Sequence, residues 1–109
     1  MKFEEQKIFV RLGEKDSADE AVITFLEPLE TERIQLQQLY KDKDILGVKG
    51  IVRKNCVDVQ NLFNPEGIAI DAASIKAGNL RGSYADAIFI GYMQAILPQD
   101  TKEDTEKNA

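Results

Sequence analysis

A chain of 109 residues with 43% apolar and 30% charged side chains has the balance of one small globular domain, too short for two of ordinary size and too apolar to stay unfolded over most of its length. Its formal net charge of −5 disfavours nucleic acid and anionic membrane as main partners, because both select for concentrated Lys and Arg, and leaves protein as the expected partner class. Histidine is absent and Cys56 is the single cysteine, which excludes an intrachain disulfide, the usual zinc ligand sets and the commonest general base, so neither a metal nor a cofactor is expected. The Met1–Lys7 segment lacks an apolar signal core, and no run approaches the roughly 20 apolar residues that span a bilayer. The reading is a cytoplasmic protein without membrane association.

In chain order, Ile8, Phe9 and Val10 within residues 2–11, and then Ala21–Leu26, are β-branched and aromatic clusters that predict two strands. The polar stretch Gly13–Glu20 between them predicts an antiparallel hairpin with a long loop. Such a ribbon is marginal alone and needs helices beneath it or a strand from a neighbour. Pro28 closes the second strand. Residues 29–41 then take helical spacing, with Leu29, Ile34, Leu36 and Tyr40 placed near one face, Glu30 and Glu32 in the first turn and Lys41 at the end, in accord with the helix dipole.

Asp44 is placed as the cap of a second helix that carries Ile45, Val48, Ile51, Val52, Cys56 and Val59, with Gly47 and Gly50 weakening it or allowing close packing. Asn64-Pro-Glu-Gly67 predicts a turn between short extended or irregular pieces. Asp71 is placed as the cap of a short helix over 72–77 that Gly78 and Asn79 end. The longest helical period runs from Ser83 to Leu97. Ala85, Ile88, Phe89, Tyr92, Met93 and Ile96 form its stripe, Ser83 is its expected N-cap with Asp86 in the first turn, and Pro98 stops it. Ala87 and Ile90 widen the apolar surface, which predicts contact on more than one side, with the rest of the domain or with a second subunit. Residues 98–109, with four acids and two lysines, have nothing to bury and are expected to be a disordered polar tail. The expected fold class is α+β: one domain over residues 1–97, an N-terminal β-hairpin packed on a small bundle of three to four helices.

Chemistry is sparse. Nucleophilic catalysis lacks its usual base, and the carboxylates that remain, Asp58 with Asp71 or Asp86, include two with local duties at helix starts. No catalytic residue is assigned. Cys56 reads as a small buried hydrophobe. Gly47-Val-Lys-Gly50 and Gly78-Asn-Leu-Arg-Gly82 do not complete a phosphate loop. Arg33, Lys41, Lys43, Lys49, Arg53 and Lys54 make the middle of an acidic chain locally basic, a solvated face or a dock for an acidic partner or for the chain's own acidic ends. Arg53 and Lys54 on the second helix, with Leu62 and Phe63 in the following loop, are the expected partner-binding residues.

Taken together, a strand ending in Phe25-Leu-Glu-Pro28, a helix opening with Glu32-Arg33, the Cys56-Val-Asp-Val59 segment, the Asn64-Pro-Glu-Gly67 turn and a closing helix through Ala95-Ile-Leu97 resemble the tail assembly chaperones of long-tailed phages and prophages. The resemblance spans most of residues 3–97, and one departure is the lack of tryptophan in Val57–Leu62. It implies a non-catalytic protein in the host cytoplasm that holds the tape measure protein while the tail tube polymerises, and that self-associates. In many relatives a frameshift makes a longer form, for which Glu106-Lys-Asn108 is the place to look. The alternatives are a structural tail or head–tail component that stays in the virion, and an unrelated regulatory binding module.

Overall fold

The computed structural model describes residues 6–96. Two antiparallel strands, β1 (Lys7–Leu12) and β2 (Ala21–Leu26), form where their β-branched clusters lie, in the register Ile8 to Phe25, Val10 to Ile23 and Leu12 to Ala21. Helix α1 covers Glu30–Lys41 and α2 covers Ile45–Lys54. The chain then returns to the sheet as β3 (Cys56–Gln60), antiparallel to β2, so the strand order is β1-β2-β3. Helices α3 (Ala72–Ala77) and α4 (Gly82–Ile96) complete the fold. It is an α+β architecture, and the ribbon gains its third strand from its own chain. The expected tail over 98–109 lies outside the described residues.

The placement of Cys56 and Val59 on the second helix is corrected. Val48, Val52, Cys56 and Val59 keep helical spacing, but Asn55 turns its side-chain amide back onto the Ile51 carbonyl at 3.1 Å and the helix stops. Three rows of the sheet then place Ile8–Phe25–Cys56, Val10–Ile23–Val59 and Leu12–Ala21 on one face. A register slip between Thr24 and Phe25 leaves Val57 as the extra residue of a bulge.

All four helices add to the core on that face: Leu36 from α1, Val48 and Val52 from α2, Ile75 from α3, and Ile88, Tyr92 and Met93 from α4, against Val10, Ala21, Ile23, Phe25 and Cys56. The hairpin therefore lays one face on α4, as its alternation requires, and Phe25 meets Tyr92 edge to face at 5.0 Å between ring centroids. On the other face of the sheet Lys7, Phe9, Arg11, Asp58 and Gln60 are exposed, while Thr24 at its middle is buried.

Three details of the helices depart from expectation. On α1 the inward positions are Glu32 and Leu36, while Leu29, Ile34 and Tyr40 are exposed. Helix α4 begins one residue before Ser83, with the Arg81 carbonyl accepting from the Ala85 amide at 3.0 Å, so Ser83 is an exposed first-turn residue and not the cap. Ile90 is 53% exposed and Ala87 is exposed as well, so within the described chain α4 is buried on one side only. The caps of α2 and α3 do form: Asp44 accepts from the Gly47 amide at 3.0 Å and Asp71 from the Ser74 amide at 2.8 Å, with Gly78 left-handed at φ 76°.

Candidate functional site

The segment after β3 is built to be rigid. Ile70 donates its amide to the Leu62 carbonyl at 2.8 Å, Phe63 and Ala69 form a β-bridge, and Asn64 donates its amide to the Ile68 carbonyl at 2.9 Å. Asn64 Oδ1 accepts from both the Glu66 and Ile68 amides, and Gly67 takes the left-handed φ of 81° that the turn requires. The turn holds Phe63 and Ile68 in solvent at 48% and 64% exposure. Asn61, at the end of β3, donates its side-chain amide to the Ala18 and Glu20 carbonyls and so fixes the β1–β2 loop to the same corner.

Facing this turn across an open groove of about 490 Å³ are Ser74, Asn79, Leu80, Arg81 and Tyr84. Ile68, Ile70, Leu80 and Tyr84 supply the apolar surface, while Glu66 on one wall and Arg81 on the other supply opposite charges. The lining as a whole is more polar than apolar. A second cavity, about 30 Å³ and lined by Phe25, Val52, Ile75, Ile88 and Phe89, has room for little more than one water-sized group. Lys49 sits over its Phe89 ring at 5.8 Å.

The four residues singled out for partner binding do not meet in one site. The Arg53 guanidinium lies against Gly78 at the C-terminal end of α3, where its charge complements the helix dipole. Lys54 is paired with Glu32 at 3.2 Å. Leu62 is half-buried against the core, and Phe63 stands exposed at the root of the turn. Two more residues of the basic stretch are paired within the chain, Arg33 with Glu27 at 3.1 Å and Lys49 with Asp86.

The remaining candidates for chemistry are accounted for by local structure. Asp71 caps α3, Asp86 holds Lys49, and Asp58 accepts from the Gln60 side chain at 3.2 Å. Among the described residues no group of three or more His, Cys, Asp or Glu is arranged to hold a metal ion, and no helix is long and apolar enough to cross a membrane. Cys56 is fully buried, and burial pushes its thiol up to about 11, so it is protonated at neutral pH.

Sequence reasoning placed Glu32 in the first turn of α1 but not as the residue that caps it. Its Oε1 accepts from the Leu29 amide at 2.9 Å, which closes the start of α1, and its residue is only 5% exposed. That amide bond, helped by Lys54 and opposed by desolvation, holds the carboxyl below its ordinary value. The signal was available, because a glutamate three residues into a helix is the reaching half of a capping box. No protein-family model, curated protein or solved structure matches the chain.

Proposed function

We propose that this protein is a non-catalytic tail assembly chaperone of a long-tailed phage or prophage, which holds a segment of the tape measure protein in the bacterial cytoplasm until the tail tube has formed around it. The observation that carries this reading is the groove between the Asn64 turn and the head of α4, with Ile68 and Phe63 held exposed beside it. A tape measure is a long, aggregation-prone helical chain, and exposed apolar residues on a rigid turn shield such a segment without a large refolding cost. The net charge of −5 keeps the carrier itself soluble.

Co-expression with the tape measure protein of the same phage tests it. The long protein is expected to stay soluble only when this chain is present, and Ile68→Ser with Arg81→Glu is expected to weaken the effect without lowering the melting temperature of the domain. Equal solubility with and without the chain overturns the reading. Recovery of the chain in purified virions replaces it with that of a structural tail component.

A further inference from the structure

The face of the sheet turned away from the helices carries an ordered charge pattern. Alternation places Lys7, Phe9 and Arg11 of β1, Val22, Thr24 and Leu26 of β2, and Asp58 and Gln60 of β3 on it, in the rows Lys7–Leu26, Phe9–Thr24–Asp58 and Arg11–Val22–Gln60. The cations thus stand on one edge, the acid on the opposite edge, and the column Val22, Thr24 and Leu26 runs between them. Phe9 is 54% exposed, Val22 and Leu26 are half-buried, and Thr24 at the middle of the face is 7% exposed.

We infer that this face is a homodimer interface, in which two copies stack sheet against sheet about a two-fold axis parallel to the strands. That rotation sets β1 of one copy over β3 of the other and β2 over β2. The middle rows then face each other, so Asp58 of each copy lies opposite Phe9 of its partner. Lys7 and Arg11 are two residues away on either side along that strand, about 7 Å by strand rise and within reach of their long side chains. Val22 and Leu26 meet their own copies on either side of the central Thr24, the self-contacts that an isologous interface has. Arg11 keeps its bond to Glu20 at 2.8 Å along the rim, and its side chain is still 59% exposed.

Three strands of this length offer a face of about 14 by 20 Å, well below the roughly 800 Å² per partner of a standard interface, so the dimer is weak and concentration-dependent. The interface shares no residue with the groove described above, and the inference is independent of the chaperone reading.

Sedimentation equilibrium of the full chain up to about 1 mM tests the inference, at the weak end of specific association. The wild type is expected to show a monomer–dimer equilibrium. Asp58→Lys alone, and Lys7→Glu with Arg11→Glu, are each expected to raise the dissociation constant at least about tenfold, a rim charge effect. An equimolar mixture of the two variants is expected to restore association as a heterodimer, because each repulsive face then meets its complement. Asp58→Asn and Lys7→Gln serve as milder variants if circular dichroism shows that a charge reversal has unfolded the chain. A wild type that stays monomeric overturns the inference, and so does a mixture that fails to associate. Dimerisation indifferent to every variant assigns self-association to another surface and also overturns it.

Discussion

Gly91 of α4 lies so close to Val10 of β1 that a side-chain carbon at position 91 would come within 2.6 Å of Val10 Cγ1. Such a distance is below any real contact of this kind, so α4 approaches the hairpin at a point where only glycine fits. Val10 is itself buried and β-branched, with few rotamers through which to yield.

Gly91→Ala is therefore expected to destabilise the protein despite the gain in helix propensity. Overpacking costs about 1–3 kcal/mol against about 1 kcal/mol recovered from alanine in the helix. Urea unfolding should show a lower midpoint, partly restored when Val10→Ala is added to the Gly91→Ala background. A Gly91→Ala protein more stable than the wild type would mean that α4 shifts freely along the sheet.

Glu32 predicts an acid-sensitive stability. Its folded carboxyl titrates below the ordinary value, chiefly through the Leu29 amide, so its contribution is complete above the unfolded value near 4.5 and is lost as the pH falls through the lower folded value. Between pH 6 and pH 3 the wild type should lose more stability than Glu32→Gln, which keeps an acceptor for the Leu29 amide but cannot titrate. Parallel pH profiles of melting temperature for the two proteins would remove Glu32 from the account.

Tyr92 is fully buried, and its hydroxyl has no hydrogen-bond partner among the described residues. Desolvation, with the Glu32 charge adding to it, pushes the phenol up to about 12. An unpartnered buried hydroxyl opposes folding, so Tyr92→Phe is expected to leave stability unchanged or raise it, while the ring keeps its edge-to-face contact with Phe25. A loss above about 1 kcal/mol, the net worth of a hydrogen bond, would reveal a partner for the hydroxyl.

Cys56 should resist alkylation. With the thiol buried and raised to about 11, iodoacetamide at pH 8 is expected to modify it at the rate of unfolding and not of direct attack. Labelling of the native protein as fast as that of a free thiol would show that β3 opens easily.

What was legible in the sequence is what local chemistry decides. The ends of β2 and α3 follow from the Ala21–Leu26 cluster, the Asp71 cap and Gly78, each of which acts within a few residues. β3 was not legible, because Val48, Val52, Cys56 and Val59 fit one helical stripe, and only Asn55 at the helix end and pairing with β2 decide otherwise. The buried side of α1 was missed because Glu32 turns inward to accept from the Leu29 amide, a capping-box bond that the sequence did signal, while Lys54 on another helix stands 3.2 Å from its other oxygen. Arg33, Lys49 and Lys54 looked free in sequence since their acids, Glu27, Asp86 and Glu32, meet them only in the fold, with Asp86 37 residues along the chain from Lys49. The groove likewise joins the 64–70 turn to the start of α4, a juxtaposition that no local pattern announces.

The sheet order has a consequence for how the molecule assembles. β2 meets β1 across a single loop but meets β3 only after both α1 and α2 have been laid down. Loop closure makes the first pairing fast and the second slow, so the hairpin precedes the third strand on the folding route. Until that strand docks, β2 presents an open apolar edge, and a nascent chain halted after α1 would be the species most prone to pair with a stranger. Pulse-labelled amide exchange should then find the β1–β2 amides protected before those that join β2 to β3.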